Sequence, residues 1–182
     1  MDGWRVLGSR RLLERRWLTI VEQHVALPSG VEIEEFHVVE EPDWVAILAL
    51  TPAGDVVVVD QYRHGFGAVS RELPAGVIDP GETPLQTAQR ELREETGYEA
   101  PEWRPLLRVA TEPHRHTNDA HYFVATGARR VAAPRCEPDE QIEVTPMSPE
   151  ALLAAVDAGA IVHGLHVAAI LMAHRQGLFG KN

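Results

Sequence analysis

Three glutamates on one predicted helix, Glu91, Glu94 and Glu95, form the most chemically suggestive cluster in the sequence. At about 100° per residue, their side chains fall within one arc of about 100°. Like charges at these spacings destabilise an exposed helix by roughly 0.2–0.5 kcal/mol per pair, so a compensating partner is expected. One interpretation is a solvated acidic face with Arg90 and Arg93 as partners. The other is a hard-cation site, because clustered carboxylate oxygens are the ligands that Mg²⁺ or Mn²⁺ prefers.

The helix that carries these glutamates is predicted over Pro84–Thr96. Thr83 is a suitable N-cap, proline is favoured at the first helical position, and Gln86 completes a capping box. Gly97 stands just past the end, where a left-handed residue commonly terminates a helix. A narrow apolar stripe is expected to face the core, formed by Leu85, Ala88 and Leu92.

The segment before this helix, Ala75–Glu82, is predicted to be a glycine-punctuated loop that brings backbone groups close to a ligand. Together, loop and helix match the pattern G-x5-E-x7-R-E-U-x-E-E-x-G-U at its seven fixed positions: Gly76, Glu82, Arg90, Glu91, Glu94, Glu95 and Gly97. On these residues the chain resembles the Nudix hydrolases. Tyr98 stands where a plain aliphatic residue is usual, which keeps the bulk of that position.

The resemblance implies an α/β fold, a Nudix-type α/β/α sandwich with a mixed sheet, and hydrolysis of a nucleoside diphosphate linked to another moiety with Mg²⁺ (or Mn²⁺). It implies metal ligation mainly by Glu91 and Glu95, with Glu94 assisting and the carbonyl of Ala75 completing the shell. Glu82 is expected either to bind an additional metal or to pair with Arg90. For Arg90, orienting the carboxylates and forming only a salt bridge both stay open.

A general base is also implied, supplied in the ADP-ribose branch of the family by a glutamate on a loop downstream of the box. The acidic segment Cys136–Val144 offers Glu140 first and Glu137 next. An acidic loop before a strand is otherwise simply solvated. The predicted catalytic set is therefore Glu140, Glu137, Glu95 and Arg90.

Two further runs resemble the ADP-ribose pyrophosphatase and nucleoside diphosphate sugar hydrolase branch: Asp60–His64, and Arg71–Gly76 leading into the box. Pro113, fifteen residues beyond Tyr98, stands where that branch carries a proline. The alternatives are another Nudix substrate (a dinucleoside polyphosphate, NADH or a nucleoside triphosphate) and a non-catalytic module that senses ADP-ribose.

Four residues are candidates for binding such a substrate: Arg63, Glu72, Arg115 and Trp44. A guanidinium can clamp a diphosphate in a bidentate manner, although an arginine at a strand end can equally form a structural pair. Glu72 can accept from a sugar hydroxyl or form a salt bridge. Arg115 lies in a loop rich in polar donors, and Trp44 can stack on a base or pack in the core.

Composition limits the partners of the chain. Its 182 residues carry a formal charge of -10, which repels a nucleic-acid backbone. The most apolar stretches fall short of the roughly 20 residues that span a bilayer. Cys136 is the only cysteine, which favours a reducing compartment. We therefore expect a cytoplasmic protein that binds a small nucleotide and neither nucleic acid nor membrane.

Two regions are predicted. Residues 1–42 form an N-terminal β appendage containing a hairpin of Leu18–Leu27 and Val31–Val39, and residues 43–182 form the Nudix hydrolase domain with mixed strands and helices. A lone hairpin is marginally stable, so it must pack on the main domain or on a second copy of the chain. The resembled branch commonly dimerises through its N-terminal strands, which implies a homodimer and substrate contacts from the appendage.

Overall fold

The computed structural model of the chain describes residues 3–136 and 141–180. In chain order its strands and helices are β1 (Arg5–Glu14), β2 (Thr19–Ala26), β3 (Glu32–Glu40), β4 (Trp44–Leu50), β5 (Val56–Arg63), β6 (Ala68–Glu72), β7 (Ala75–Val77), α1 (Pro84–Thr96), β8 (Tyr98–Glu99), β9 (Glu102–Ala110), β10 (Asp119–Thr126), β11 (Arg129–Arg130), β12 (Ile142–Met147), α2 (Pro149–Asp157) and α3 (Gly164–Arg175). They divide into two compact units, Met1–Asp43 with Val109–Asp119, and Trp44–Arg108 with Ala120–Asn182.

The first unit contains a three-stranded antiparallel sheet in the order β1-β2-β3. The expected hairpin is β2 and β3, and β1 adds a third strand that the sequence did not predict. The segment 112–118 is tied to β3 within this unit, because the backbone N–H of Val39 donates to Arg115 and the N–H of Thr117 donates to Val39.

The second unit is built on a mixed sheet in the order β12-β5-β4-β10-β9, with β6 paired to β5 and β7 paired to β4. Strand β4 is its centre, because it runs parallel to β10 and antiparallel to β5 and β7. A central strand needs apolar residues on both faces, and β4 is buried from Val45 onward. The expected α/β fold class, with a mixed sheet and an N-terminal antiparallel β appendage, is confirmed.

Helices cover both faces of this sheet. On one face α1 packs against β4, where Val45, Ile47 and Ala49 form a cluster with Ala88 and Leu92 of the helix. On the other face α3 packs against β4, and its residue His166 lies beside Trp44. This layering places the glutamates of α1 and the segment that leads into β7 next to each other.

Two local expectations were wrong. The segment predicted as a loop before α1 begins as strand β7, whose residues pair with Trp44, Val45 and Ala46. Leu85 was expected in the core but is 38% exposed as a residue. The buried positions of α1 are Thr87, Ala88, Leu92, Glu95 and Thr96. Within the described residues, no helix is long and apolar enough to cross a membrane.

Candidate active site

Helix α1 presents its glutamates at three levels of burial. Glu95 is 4% exposed, and its Oε2 accepts a hydrogen bond of 3.0 Å from the backbone N–H of Ala75. The Glu91 side chain is 12% exposed and that of Glu94 is 47% exposed. The capping box and the left-handed Gly97 fix both ends of the helix as predicted. The side chains of Glu91 and Glu95 are therefore enclosed by the protein, whereas the side chain of Glu94 lies at the solvent-exposed edge of the candidate site.

Gly76 lets β7 approach the helix closely. A Cβ at this position would lie 2.1 Å from both Cδ and Oε1 of Glu91, a separation that atoms cannot adopt. The first glycine of the sequence pattern thus has a direct physical role, since only a residue without a side chain allows the backbone to pass beside the Glu91 carboxylate.

Arg90 holds the outer carboxylates together. Its Nε and Nη2 donate to Glu82 at 3.0 Å, and its Nη1 donates to Glu91 at 2.7 Å and to Glu94 at 3.1 Å. The hydrogen bonds to Glu82 and the charges around it raise the pKa of Arg90, and they lower the pKa of Glu82. Of the two predicted partners for Glu82, a metal or Arg90, the structure contains the pairing with Arg90.

The segment between β6 and β7 is held to the sheet as well as to the helix. The carbonyl of Pro74 accepts from the backbone N–H of Ile47 at 2.8 Å, and Ala75 pairs with Ala46. These bonds, with the Ala75 to Glu95 bond, fix the backbone whose carbonyl is a predicted ligand.

Arg63 and Glu72 bind each other in a bidentate pair. Nε of Arg63 donates to Oε1 of Glu72 at 3.0 Å, and Nη2 donates to Oε2 at 2.7 Å. Burial raises the pKa of Glu72, but the hydrogen bonds and the charge of Arg63 outweigh it and leave that pKa below its usual range. The Arg63 side chain is 42% exposed while that of Glu72 is 3% exposed, so the pair presents its positive member to solvent.

The other predicted site residues are placed as follows. Trp44 belongs to an aromatic group with Tyr122, His163 and His166, at ring separations of 5.5–5.9 Å. Arg115 lies in the first unit, where its carbonyl accepts from Val39 and its N–H donates to Glu112. The candidate bases, Glu137 and Glu140, lie outside the described residues.

The sequence analysis missed a buried polar group behind the site. His166 and Tyr122 are each 1% exposed, and His166 Nδ1 accepts from the backbone N–H of Leu73 at 3.2 Å. A signal was present, because His166 shares the helical spacing of Ala169, Ile170 and Ala173, which are the buried positions of α3. A histidine on the apolar face of a helix needs a partner inside the protein.

The predicted donor set has the chemistry that a hard divalent cation prefers. It would consist of carboxylate oxygens from Glu91, Glu94 and Glu95 and a backbone carbonyl from Ala75, with no sulfur or imidazole among them. The burial of Glu95 and Glu91 adds to this fit, because grouped carboxylates that are withdrawn from water call for positive charge. Arg90 supplies part of that charge here.

A model of the NUDIX domain matches residues 41–165 of the chain, and the match contains the whole α1 site. The chain belongs to the Nudix family. A second model, described as the nucleoside diphosphate sugar hydrolase N-terminal domain, matches residues 4–39. The protein is thus a Nudix hydrolase with an N-terminal β domain that has its own family description.

Relatives of this Nudix hydrolase agree with the assignment. A protein of Mycobacterium tuberculosis (strain H37Rv) named ADP-ribose pyrophosphatase is 38% identical over 152 residues, which are 82% of this chain and 73% of that protein. A Bacillus subtilis (strain 168) protein of the same name is 30% identical over 84% of this chain and 83% of its own length. A crystal structure titled ADP compounds hydrolase superposes with a TM-score of 0.86 at 18% identity, covering 98% of this chain and 96% of that one, which supports the fold.

Proposed function

We propose that this Nudix hydrolase cleaves the pyrophosphate bond of ADP-ribose or a related nucleoside diphosphate sugar, with Mg²⁺ as its cofactor. The observation that carries the substrate class is the match of residues 4–39 to the nucleoside diphosphate sugar hydrolase N-terminal domain, in a chain whose Nudix pattern is complete. The relatives named ADP-ribose pyrophosphatase support the same class. The products are a nucleoside monophosphate and a sugar phosphate.

In this proposal the cation is held by Glu91, Glu95 and the carbonyl of Ala75, with Glu94 assisting from the rim. A bound divalent cation supplies Lewis-acid stabilisation of charge on the non-bridging oxygens of the diphosphate. Arg90 orients the carboxylates, as its bonds to Glu91 and Glu94 suggest. In this proposal Glu82 accepts hydrogen bonds from Arg90 and holds its guanidinium in position.

The remaining predicted residues act on substrate and water. Glu140, or else Glu137, takes a proton from the attacking water, whose oxygen bonds to phosphorus while the bond from phosphorus to the bridging oxygen breaks. Arg63 binds the diphosphate, because it is the exposed member of its pair with Glu72. Glu72 then positions that guanidinium. Arg115 and Trp44 are proposed as further substrate contacts.

The test measures product formation by anion-exchange chromatography from ADP-ribose, GDP-mannose, ADP-glucose, UDP-glucose, a diadenosine polyphosphate, NADH and a nucleoside triphosphate. Each substrate is assayed with Mg²⁺ for the wild type and for Glu95→Gln. We expect turnover concentrated on ADP-ribose or a nucleotide sugar and lost in Glu95→Gln. Turnover of another class would replace the proposed substrate, and no turnover on the whole panel would favour a sensing module.

The N-terminal β appendage, residues 1–42, is proposed to form a homodimer and to contribute substrate contacts. Large apolar side chains on and next to β1 are 41–53% exposed: Trp4, Val6, Leu7, Leu12 and Trp17. Large apolar side chains that stay exposed are often covered by a second protein molecule, which supports this proposal. Light scattering should therefore give twice the 20.2 kDa chain mass, and Leu12→Glu should lower it while Ser9→Glu, a charge on the same strand, should not.

A further inference from the structure

Three consecutive residues, Leu73 and Pro74 before β7 and Ala75 as its first residue, are each held by a different element. The N–H of Leu73 donates to His166 of α3, the carbonyl of Pro74 accepts from Ile47 of β4, and the N–H of Ala75 donates to Glu95 of α1. The first of these bonds is the only one of the three that depends on a side chain outside the Nudix pattern. It joins residues 93 positions apart in the sequence.

The bond to Leu73 fixes the state of the His166 ring. A backbone N–H can only donate, so Nδ1 carries the lone pair and Nε2 carries the hydrogen. The ring is 1% exposed and stacks on His163 at 4.2 Å. Burial lowers the pKa of His166 to about 3, which keeps Nδ1 available as an acceptor at neutral pH.

A histidine that only filled space at this position would lower the stability of the fold, because it buries a polar N–H. Its Nε2 is buried with no hydrogen-bond partner among the described residues, and the same holds for the hydroxyl of Tyr122. Leucine would occupy a similar volume without burying a polar N–H. The property that histidine adds here is the acceptor that faces Leu73.

We propose that His166 is a positioning residue for the cation site, acting through the backbone from Leu73 to the carbonyl of Ala75. The proposal rests on the proposed function, which assigns that carbonyl to the cation. Groups that orient metal ligands from behind commonly change metal affinity by about 10–100-fold when they are lost.

The test compares Mn²⁺ binding, measured by electron paramagnetic resonance without substrate, in three full-length variants. His166→Leu keeps bulk and removes the acceptor. His166→Asn loses bulk but places an amide oxygen close to the former Nδ1 position. His163→Leu is the matched control, since it removes the stacked ring and leaves the Leu73 bond intact. The Mg²⁺ concentration for half-maximal turnover is measured in parallel.

We expect Mn²⁺ binding to weaken by about tenfold or more in His166→Leu, and to stay within about threefold of wild type in His166→Asn and His163→Leu. The Mg²⁺ requirement should follow the same order, with a smaller change in kcat at saturating Mg²⁺. A space-filling role gives the reverse order, in which leucine is tolerated and asparagine is not. That order, or wild-type binding in His166→Leu, would overturn the proposal.

The two proposals fail separately. If the wild type binds Mn²⁺ but turns over no substrate in the panel, the proposed function fails while the order of Mn²⁺ affinities still decides the role of His166. A wild type that binds no Mn²⁺ but turns over ADP-ribose or a nucleotide sugar overturns the role of His166 and leaves the proposed function standing. If His166→Leu does not fold, His166→Gln is used in its place. The glutamine amide lies near the former Nε2 position, so it is too far from Leu73 to accept the hydrogen bond from its N–H.

Discussion

At the scale of single residues, the candidate site depends on the absence of a side chain at Gly76 as much as on the charged side chains of α1. Gly76 allows a main-chain segment to pass beside the Glu91 carboxylate, and Glu95 then fixes that segment through Ala75. In the proposed cation site, a carboxylate of α1 and the carbonyl of Ala75 in β7 would bind one cation. Neither α1 nor β7 would form that site alone.

Gly76→Ala should therefore damage activity more than stability. Its Cβ would lie 2.1 Å from Glu91 Oε1, so the carboxylate must move, and a displacement of about 1 Å at a reacting centre can cost about 100-fold in rate. Steady-state kinetics with circular dichroism would measure both effects. Gly164→Ala is the control, because a Cβ there meets nothing within 4 Å. Unchanged kinetics in Gly76→Ala would contradict the assignment of Glu91 to the site.

At the scale of elements, α1 is fixed by its ends. Gly97 adopts a φ of 74° and donates its N–H to the carbonyl of Arg93. A Cβ on Gly97 would lie 2.1 Å from the carbonyl oxygen of Ala132, in the segment whose residues Val131 and Ala132 donate back to Gly97. The C-terminal cap of the helix is thus also a close contact with the chain that follows β11.

Gly97→Ala should lower the free energy of unfolding for two reasons, which a second glycine separates. Gly177 has a φ of 72° but a Cβ there would meet nothing within 4 Å, so Gly177→Ala carries only the left-handed strain of about 1–2 kcal/mol. The clash should cost Gly97→Ala a further ~1–3 kcal/mol. Urea denaturation measures the difference. Equal losses in the two variants would mean that the segment at Ala132 yields without cost.

The elements differ in how well the sequence predicts them, and the reason is physical. Helix α1 was predicted to the residue because its cap, first proline and terminal glycine are local signals. Strand β1 was missed, since it is almost wholly exposed and shows no alternation to reveal a buried face. Strand β7 was mistaken for a loop because its glycine and flanking proline suggest a turn, and its pairing with β4 is non-local.

The same contrast applies within the site. From spacing alone, the glutamates of α1 could be either a solvated acidic face or a cation site, and the resemblance favoured the second. The local sequence sufficed to place them on one helix beside the segment that contains Gly76. For Arg63 and for Glu72 the sequence left a structural ion pair open beside a substrate contact, but it did not indicate that the two residues pair with each other. The bond from Leu73 to His166 was beyond reach, since it depends on how α3 packs against a segment 93 residues away.

At the scale of the whole molecule, the buried histidines make the fold sensitive to acid. Burial, the neighbouring His163 and Arg63 favour neutral His166 and outweigh the opposing charge of Glu72, so its pKa falls from 6.5 to about 3. Burial also lowers the pKa of His163. Between pH 6.5 and about pH 3, His166 binds a proton in the unfolded chain but not in the folded chain. The free energy of unfolding must therefore rise with pH in this range and fall on acidification.

The free energy of unfolding should therefore decrease from pH 6.5 towards pH 4 by about 1.4 kcal/mol per pH unit for His166, and the lowered pKa of His163 acts in the same direction. The pair of Glu72 with Arg63 acts in the same direction at lower pH, because the lowered pKa of Glu72 stabilises the fold only while that carboxylate stays ionised. Urea denaturation at several pH values should show a shallower slope in His166→Asn, which cannot titrate but keeps an acceptor for Leu73. An identical slope in the two proteins would mean that His166 becomes protonated without unfolding the chain, and that the group around it admits water.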